Sequence, residues 1–551
     1  MQEVYIAKPK RTLNFFGRIP NCMSQIFEQI KVGLNDDIKE KIALLSPDFQ
    51  DFRILRKSVD ARKIPHWVYA VEVFKANEKI KQQEFNLDRV NSPDQDTPII
   101  VGSGPAGLFA ALRFVERGIK CILLERGSPS EKRIGAINQF WRYGKLDPNN
   151  NVCFGEGGAG LYSDGKLITR IKSPHIPYVM HKLVEFGAPE EIKYLANPHV
   201  GSDRIRRVIP KLREYLKQNG CTIHFDTCVS SLLTDSRNQI LGVNTLDGKQ
   251  FLSKHVILAT GHSAQDVFAF LQKSQVLIEA KSYALGLRIE HPQAAIDKMQ
   301  FKEYAGHPAL GAANYKLANH DDASGIGVYS FCMCPGGYVL SSGTEAGGIV
   351  VNGMSNYHRN SGFANSAVVV SIDSQQFGSD IYGGMKLRAQ LETGAFDLVQ
   401  KAGGTKEIPV QKVSDFLRRK KGEALKSSSP SGVIATELHR LMPGWIRERL
   451  SESLEVFNQQ MRGFIHPEAQ FHGVETRTSC PVRVTRDAIT LESLSHKGLY
   501  PCGEGAGYAG GITSAACDGI NCAEKIISQL ANQGVGASEK QLGDRLMPNT
   551  L

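Results

Sequence analysis

The sequence of 551 residues lacks any run of eighteen apolar residues, and a membrane-spanning helix needs about twenty. Its most apolar stretch, 99–114, is interrupted by three glycines and by Arg113. The amino terminus has scattered basic side chains with no continuous apolar segment after them. We therefore expect no secretory signal and no membrane-spanning segment. A cytoplasmic location is the expectation that follows.

Cysteine is also scarce. The chain has 11 cysteines, an odd number, and no two of them form the C-x-x-C element of a zinc site. Disulfide frameworks belong to short secreted chains with a much higher density of cysteine. We therefore expect free thiols and no metal site.

Long blocks of like charge are missing as well. The 66 Lys and Arg residues and the 56 Asp and Glu residues give a formal net charge of +10, but the densest basic cluster is the four residues 418–421. Such a short run is typical of a solvated helix or loop face, and nucleic-acid-binding tails carry longer ones. The charge pattern therefore argues against a nucleic-acid partner.

Glycine, in contrast, is abundant. The 53 glycines are nearly a tenth of the chain, whereas average usage is about 7%. They cluster, which predicts several places where the backbone approaches another group closely. At about 150 residues per domain, the length predicts three or four domains.

A glycine motif stands in the context that a dinucleotide-binding fold requires. Ile99–Val101 predict a short strand, residues 102–107 read Gly-Ser-Gly-Pro-Ala-Gly, and the apolar residues after them repeat at helical spacing. In this pattern Gly102 permits a tight turn, Gly104 lets backbone N–H groups reach a diphosphate, and Gly107 lets helix and strand pack closely. The motif predicts a Rossmann-like α/β domain with the diphosphate at the helix N-terminus.

An acidic residue follows the motif at the expected distance. Residues 121–124 predict the next strand, and Glu125 stands at its end, eighteen residues after Gly107. The usual spacing is about 20 residues, and a carboxylate at this position accepts hydrogen bonds from a ribose 2′-hydroxyl. Glu125 therefore also argues against a 2′-phosphate. The motif alone leaves NAD and FAD as alternatives.

Two later segments separate these alternatives. His255–Gly261 reads HVILATG, and residues 498–521 combine a strand end, clustered glycines and a helix of small residues. With residues 99–125, in this order and spacing, they resemble the glutathione-reductase-like superfamily of FAD flavoproteins. The resemblance implies non-covalently bound FAD, with Glu504 at the position of the acidic residue that binds the ribityl chain, where aspartate is commoner. It also implies that the helix starting near Gly511 points its N-terminus at the flavin N1 and O2.

A closer resemblance lies in residues 155–167 (GEGGAGLYSDGKL), 331–337 (FCMCPGG) and 473–484 (GVETRTSCPVRV). Together with the segment at Gly503 they are similar, over nearly the whole chain, to an uncharacterised bacterial and plastid family of predicted FAD-dependent, or NAD(FAD)-utilizing, dehydrogenases. This resemblance implies the cofactor and the fold but no substrate. The four glycines of residues 155–160 favour contact with the cofactor, and a glycine-rich surface loop is the alternative.

The predicted FAD contacts lie in the glycine loops and at the strand ends and helix starts just described. They are Gly102, Ser103, Gly104, Pro105, Ala106, Gly107, Glu125, Arg126, Gly157, Gly158, Thr260, Gly261, Gly503, Glu504, Gly511 and Ile512. NADH or NADPH would act only as a transient reductant, because no second strand-linked G-x-G-x-x-G predicts a separate nicotinamide domain.

Changes of pattern along the chain predict four segments. They are a small N-terminal α/β module (1–92), the first part of the FAD-binding domain (93–280), an inserted α+β domain that covers the flavin and carries the substrate contacts (281–470), and the C-terminal part of the FAD-binding domain (471–551). The stretch 91–98, with two prolines and no periodicity, is the predicted linker. Residues 221–260 are predicted to form one antiparallel meander.

Three side chains are candidates for chemistry. Arg477 could hold an anionic substrate through its planar donor fork, and an ion pair with Glu475 is the alternative. Cys334, two residues after Cys332, could take part in thiol redox chemistry, and a buried thiol that packs as a small hydrophobe is the alternative. His262 could move a proton, and a structural histidine is the alternative.

The leading hypothesis is an FAD-dependent oxidoreductase that transfers hydride or electrons between a small organic substrate and the flavin. The alternative is a flavoprotein that acts on RNA, such as a tRNA-modifying protein, in which the first 90 residues and the positive charge bind the RNA. A further hypothesis is that residues 1–90 bind a protein partner that donates electrons.

Overall fold

The computed structural model describes residues 24–76, 78, 84–85, 87–90, 96–322 and 324–545. The basic amino terminus and residues 91–95 of the predicted linker lie outside the described residues. Among the helices that the structure describes, none is both long enough and apolar enough to cross a bilayer.

The described residues form twenty-two strands. In chain order they are β1 (Gln25–Gly33), β2 (Phe49–Asp60), β3 (His66–Lys75), β4 (Ile99–Val101), β5 (Cys121–Leu124), β6 (Cys221–His224), β7 (Val229–Thr234), β8 (Ile240–Thr245), β9 (Gln250–Leu252), β10 (Val256–Leu258), β11 (Ile278–Ala280), β12 (Tyr283–Pro292), β13 (Ala318–Asp321), β14 (Ile326–Cys334), β15 (Gly337–Ser341), β16 (Val351–Ser355), β17 (Phe363–Ile372), β18 (Ile408–Lys412), β19 (Val433–Ala435), β20 (Gln470–Glu475), β21 (Val482–Val484) and β22 (Leu499–Pro501).

The same residues form twelve α-helices and four short 3-10 helices. The α-helices are α1 (Ile38–Leu45), α2 (Pro105–Glu116), α3 (Ser130–Tyr143), α4 (Ile176–Glu185), α5 (Ser202–Gln218), α6 (Gln265–Lys273), α7 (Gln293–Phe301), α8 (Gly383–Lys401), α9 (Val413–Leu417), α10 (Leu438–Leu441), α11 (Gly444–Gln460) and α12 (Ile512–Arg545). The 3-10 helices are Gly158–Tyr162, Glu190–Lys193, Lys302–Tyr304 and Ser374–Phe377.

The N-terminal module is a three-stranded antiparallel sheet in the order β1-β3-β2, with α1 packed on it. Ile42 of α1 and Val71 of β3 are fully buried in its core, as expected from the helical and alternating apolar patterns. The described part of this region is thus a small module of helix and strands, as the sequence predicts. Lys57 N donates to Tyr194 O at 2.8 Å and Ala196 N donates to Lys57 O at 2.9 Å, which joins the module to the next domain.

A five-stranded parallel sheet forms the centre of that domain, in the order β22-β10-β4-β5-β6. The strands β4, β10 and β22 are short, apolar and completely buried, because both faces of such a sheet are covered. On one face α2, itself buried at almost every position, packs in one core with α12. The predicted order of strand, glycine loop, helix and strand is confirmed by β4, α2 and β5.

The predicted meander at 221–260 is only partly present. The strands β7, β8 and β9 form an antiparallel sheet, but β6 pairs with β5 and β10 pairs with β4 in parallel. Burial explains why β10 belongs to the parallel sheet. All three of its residues are apolar and buried, as in a strand that is covered on both faces. The prediction of a single meander is therefore wrong for its first and last strands.

The inserted segment is built on a seven-stranded sheet in the order β13-β14-β17-β12-β20-β18-β19. Its central strand β12 is buried at nearly every residue, and α8 and α11 contribute to the same core. Since β20 belongs to this sheet, the segment continues to Glu475, beyond the predicted boundary at 470. We call the segment from β12 to β20 the roof. At the points where the chain enters and leaves it, β11 pairs with β21.

Candidate functional site

Four loops meet at the carboxyl edge of the parallel sheet, which is where ligands of such folds bind. They follow β4, β5, β10 and β22. The FAD contacts predicted from the sequence come from all four of these loops, so the fold brings together residues that are up to 400 positions apart, such as Gly104 and Glu504.

Three glycines of the first loop have different surroundings. Gly102 has φ +103°, and an added Cβ there would overlap the backbone oxygen of Ala259. At Gly107 an added Cβ would overlap the backbone oxygen of Gly102, so both positions need glycine for packing. At Gly104, directly before α2, an added Cβ would have no described atom within 4 Å. Open space therefore lies at the start of this helix.

The second glycine loop, residues 155–160, packs directly on the first. Gly157 N donates to Ser103 O at 2.9 Å, and a Cβ on Gly158 would be 3.1 Å from Gly104 Cα. Residues 155–157 are buried. The first half of the segment is therefore internal, whereas Ala159 in the second half is exposed; contact of this loop with the cofactor stays a prediction.

The second glycine loop also joins two helix N-termini. A Cβ on Gly160 would lie 3.4 Å from Ile512 Cγ1 and 3.6 Å from Pro105 Cγ, and these are the first residues of α12 and α2. Thr513 Oγ1 donates to Leu167 O at 2.7 Å, which holds the first turn of α12 in place. Because helix N-termini carry partial positive charge and bind anions, two such ends lie side by side at this site.

Glu125 is tied to three loops by four hydrogen bonds. Its Oε2 accepts from Ser103 N at 2.8 Å and from Ser103 Oγ at 2.7 Å, and its Oε1 accepts from Gly127 N and Gly155 N, both at 3.0 Å. A carboxylate has about four acceptor positions, and protein donors use all of them. Glu125 therefore holds the loops together, and its role as an acceptor for the ribose stays a prediction.

Arg133 of α3 belongs to this site and was missed by the sequence analysis. It is completely buried, and its guanidinium donates to the backbone oxygens of Asn151, Val152, Gly155, Glu156 and Gly158 at 2.7–3.3 Å. It thereby fixes the path of the second glycine loop. The available signal was a basic residue that shares an apolar helix face with Ile137 and Trp141, at spacings of four and eight.

The remaining predicted contacts surround the same edge. Gly261 has φ +71°, and an added Cβ would meet no described atom within 4 Å. Arg126 pairs with Asp266 at 2.8 Å, at the end of β5. Gly503 N donates to Asp518 Oδ2 at 2.7 Å, which fixes the turn after β22 against α12.

A cluster of ionisable side chains lies where the roof meets these loops, and we call His262, Lys281, Arg388 and Glu504 the roof cluster. His262 Nε2 is 3.7 Å from Glu504 Oε1. Burial raises the pKa of Glu504 to about 7, against the opposing charges of Lys281 and Arg388. Its side chain nevertheless keeps 30% of its surface exposed, so a ligand can reach it. Burial lowers the pKa of His262, and the charges of Arg388 and Arg477 lower it further. The imidazole is therefore neutral at pH 7.

Arg477 has acidic partners, but not the predicted one. Its Nη2 lies 2.7 Å from Glu392 and 2.8 Å from Glu345. Glu475 is paired instead with Arg288, at 2.7 Å. The predicted ion pair between Arg477 and Glu475 is therefore wrong. Because two other carboxylates bind the guanidinium of Arg477, it is not a free donor for an anionic substrate.

Cys332 and Cys334 lie at the end of β14, and both are free thiols. Cys334 is completely buried, and burial raises the pKa of its thiol to about 12. It is therefore protonated at neutral pH and a weak nucleophile. The surroundings favour packing as its role, and a redox role for the two cysteines stays a prediction.

Two family models match the chain. The model described as "FAD binding domain" matches residues 97–139, which contain the first glycine loop and Glu125. The model described as "FAD-dependent protein, C-terminal domain-like" matches residues 282–478, which correspond to the roof. The protein is therefore an FAD-dependent flavoprotein, and FAD is its cofactor.

A close relative defines the family. An uncharacterized protein of Clostridium beijerinckii is 38% identical over 528 residues, which make up 91% of this chain and 98% of that protein. The chain belongs to the same family as this protein. Since the relative is itself uncharacterized, membership brings no activity with it.

Solved structures with distant similarity are also known. The flavin-dependent brominase Bmp2 has 11% identity, 79% coverage of each chain and a TM-score of 0.36. CtdE in complex with FAD has 12% identity, coverage of 81% of this chain and 94% of that chain, and a TM-score of 0.28. The GidA-related protein from Thermus thermophilus has 13% identity, coverage of 34% and 72%, and a TM-score of 0.22. These values are too low to transfer any activity.

The residues present fit FAD. The open space at Gly104, beside the N-terminus of α2, suits the diphosphate, whose approach requires a residue without a side chain. The second glycine loop and the start of α12 lie directly next to this space. The groups that would hold FAD are the backbone N–H groups at the two helix starts and the carboxylate of Glu504, which is partly exposed.

Proposed function

We propose that this flavoprotein is an oxidoreductase, a dehydrogenase or reductase that transfers hydride or electrons between a small organic substrate and FAD. FAD, when bound, supplies an acceptor and donor of two electrons. The observation that carries the proposal is the roof cluster, in which ionisable side chains from the roof and from the loops after β10 and β22 meet beside the cofactor site. Proton transfer that accompanies hydride transfer requires such groups within reach of the substrate.

The start of α12 supports this proposal. Gly510 N donates to Ser514 Oγ at 3.2 Å, and Thr513 holds the first turn to Leu167. A fixed helix N-terminus stabilises negative charge that develops in front of it. By the resemblance to FAD flavoproteins, this end would face the flavin N1 and O2, where negative charge increases on reduction.

Glu504 and His262 are the side chains that we propose to handle the proton. With a pKa of about 7, Glu504 is a mixture of acid and carboxylate near neutral pH and can both release and accept a proton. His262 is neutral, and its Nδ1 has no hydrogen-bond partner in the part of the chain that the structure describes. That nitrogen is also buried, so the ring nitrogen that would exchange the proton is Nε2, which lies 3.7 Å from Glu504 Oε1.

The test of the oxidoreductase proposal uses the purified full-length chain. Bound FAD is measured by its absorbance and by its release with heat or acid, and the protein is then mixed anaerobically with NADH, with NADPH and with a panel of alcohols, amines and hydroxy acids. We expect the flavin absorbance to bleach with a nicotinamide or with a member of the panel. Bound FAD that stays oxidised with all of them would overturn the proposal.

A matched pair of glycine variants tests the location of FAD. Gly104→Val places a side chain in the open space, and its backbone at φ −73° suits any residue; we expect a folded protein that binds FAD at least about tenfold more weakly. Gly107→Val clashes with the oxygen of Gly102, so we expect it to lower the stability itself. Wild-type FAD affinity in Gly104→Val would place the diphosphate elsewhere.

A further inference from the structure

A groove on the roof lies between α8 and the start of α11, and we call it the α8–α11 groove. One wall is α8, and the other is formed by residues 440–444 and Arg447. Its volume is about 960 Å³, at the upper end of the range for sites that bind small organic molecules. Gln390, Thr393 and Gly444 of its lining are exposed, so a ligand can enter. Neither the glycine loops nor the roof cluster contributes to the lining, so the groove is separate from the cofactor site.

Two arginines line this groove, and protein groups satisfy neither of them fully. The Nε of Arg440 pairs with Glu437 at 3.0 Å, and the side chain of Arg440 is 71% exposed. Arg447 donates to His439 O and to Glu448 Oε1, both at 3.4 Å, which is longer than an ordinary hydrogen bond. Its Nε has no partner within the described residues. Both guanidinium groups therefore have donors that a ligand can use.

The start of α11 borders the same groove. Gly444 and Arg447 of its first turn belong to the lining, and no side chain of the described residues caps this 17-residue helix at its N-terminus. A Cβ added to Gly444 would meet only Arg447 Nη2, at 3.7 Å, so there is open space at this end. The first N–H groups of a helix have no partner inside it and carry partial positive charge. They add to the positive charge of the two arginines.

The rest of the lining suits a ligand that is larger than a simple anion. It combines apolar side chains with polar ones, and these are Leu387, Leu391, Leu441, Met442, Pro443, Gln390, Thr393 and Asp397. Asp397 is exposed. Its carboxylate repels a phosphate group but can accept hydrogen bonds from sugar hydroxyls. The groove therefore offers surroundings for an anionic group, for hydroxyl groups and for an apolar ring.

We propose that the α8–α11 groove binds a nucleotide, with its phosphate group at Arg440, Arg447 and the start of α11. Guanidinium groups bind phosphate through parallel hydrogen bonds, and helix N-termini bind phosphate through their free N–H groups. A phosphate has more acceptor oxygens than a carboxylate and can use both kinds of donor at once. The volume of the groove leaves room for the sugar and the base. This site does not depend on the proposed oxidoreductase function.

The first experiment measures binding of nucleotides to the full-length protein loaded with FAD, so that its own cofactor occupies the FAD site. AMP, ADP, GMP and adenosine are titrated by isothermal calorimetry. We expect saturable binding of at least one nucleotide and at least about tenfold weaker binding of adenosine, which lacks the phosphate. The proposal is overturned if no nucleotide binds at about 10 mM, or if adenosine binds as tightly as AMP.

The second experiment locates the bound nucleotide with two pairs of variants. Arg447→Met removes a guanidinium from the groove, and Gly444→Leu fills the open space at the start of α11. We expect each to weaken binding by roughly ten- to a hundredfold. The controls are Arg462→Met, at an exposed residue after α11, and Gly135→Leu, at an exposed position of α3 where an added Cβ has no described atom within 4 Å. Both controls should stay within about twofold of the wild type.

The result that would overturn the location is equal nucleotide affinity in the groove variants and in their controls. Urea unfolding of every variant shows whether it is folded. Should Arg447→Met fail to fold, Arg440→Met replaces it, because the side chain of Arg440 is 71% exposed and its substitution should hardly change stability. The FAD content and the reduction of the flavin by NADH or NADPH are measured on the same variants. We expect both to match the wild type, so the groove and the oxidoreductase proposal are tested separately.

Discussion

The glycine-loop cradle, formed by residues 102–107 and 155–160 with Glu125 and Arg133, and the roof cluster are both buried and polar, but their hydrogen bonding differs. In the cradle, Arg133 donates to five backbone oxygens and Glu125 accepts four hydrogen bonds. In the roof cluster, Arg388 has no hydrogen-bond partner within the described residues. The charges of the cradle are thus paired within the protein, whereas the charge of Arg388 is not paired by a described residue.

This difference separates two kinds of buried charge. A charge that protein groups satisfy completely contributes to the free energy of folding, and its removal leaves its partners unsatisfied. A charge that protein groups leave unsatisfied lowers that free energy. We therefore expect substitutions in the cradle to lower stability more than substitutions in the roof cluster.

The largest effect is expected for Arg133→Met. The substitution leaves the carbonyl oxygens of the second glycine loop without their buried donor, so we expect the free energy of unfolding of the FAD-free protein to fall by about 3 kcal/mol or more. The measurement is urea unfolding followed by circular dichroism. Arg142→Met, on an exposed position of the same helix, is the control and should change stability by less than about 0.5 kcal/mol. Equal effects of the two variants would contradict the role of Arg133 in fixing the second glycine loop.

A smaller loss is expected for Glu125→Gln. The side-chain amide would turn N–H groups toward donors such as Gly127 N and Gly155 N, which now share Oε1, so we expect destabilisation by about 2 kcal/mol. Ser103→Ala removes only one of the four hydrogen bonds, so we expect it to lower the free energy of unfolding by about half as much. The same unfolding measurement tests both substitutions. Wild-type stability of Glu125→Gln would show that the hydrogen bonds accepted by Glu125 do not stabilise the fold.

The smallest effect is a pH dependence caused by Glu504. Its pKa is raised from 4.5 to about 7 in the folded protein, mainly by burial, while Lys281 and Arg388 oppose the shift. The folded state therefore binds more protons than the unfolded state between these values, and the stability contribution falls as pH rises from about 5 to about 7. We expect the stability of the wild type relative to Glu504→Gln to decrease over this range. Parallel pH profiles of the two proteins would contradict the shift.

Much of the cradle can be predicted from the sequence because its signals are local. The strand Ile99–Val101, the glycine loop and α2 follow one another directly, and Glu125 lies one strand later. Each residue type there has a specific backbone reason. The second glycine loop is also visible in the sequence, but its path depends on Arg133, whose acceptors lie 18 to 25 residues away. The helix face that Arg133 shares with Ile137 and Trp141 indicates that it is buried, but not which groups it bonds.

Two members of the roof cluster, His262 and Glu504, are candidates from the sequence, but the pairing of the charged residues around the cluster could not be predicted, because it is decided over long distances. The sequence offered Arg477 with the nearby Glu475, but the structure pairs them with Glu392 and Arg288, 85 and 187 residues away. Arg388 read as an ordinary charged residue of a helix. The signal that was available is the buried face of α8, where Met385, Arg388, Leu391, Glu392, Ala395 and Val399 follow helical spacing. Two charged residues on such a face indicate an internal polar site.

The parallel sheet also governs when the protein can acquire its cofactor. β22 and α12 complete the sheet and cover α2, yet they lie hundreds of residues after β4 in the chain. A chain still emerging from the ribosome therefore has an uncovered apolar face on α2 until residues 499–532 have been made. We therefore expect FAD to bind only after these residues have been made, because they complete the sheet that carries the site.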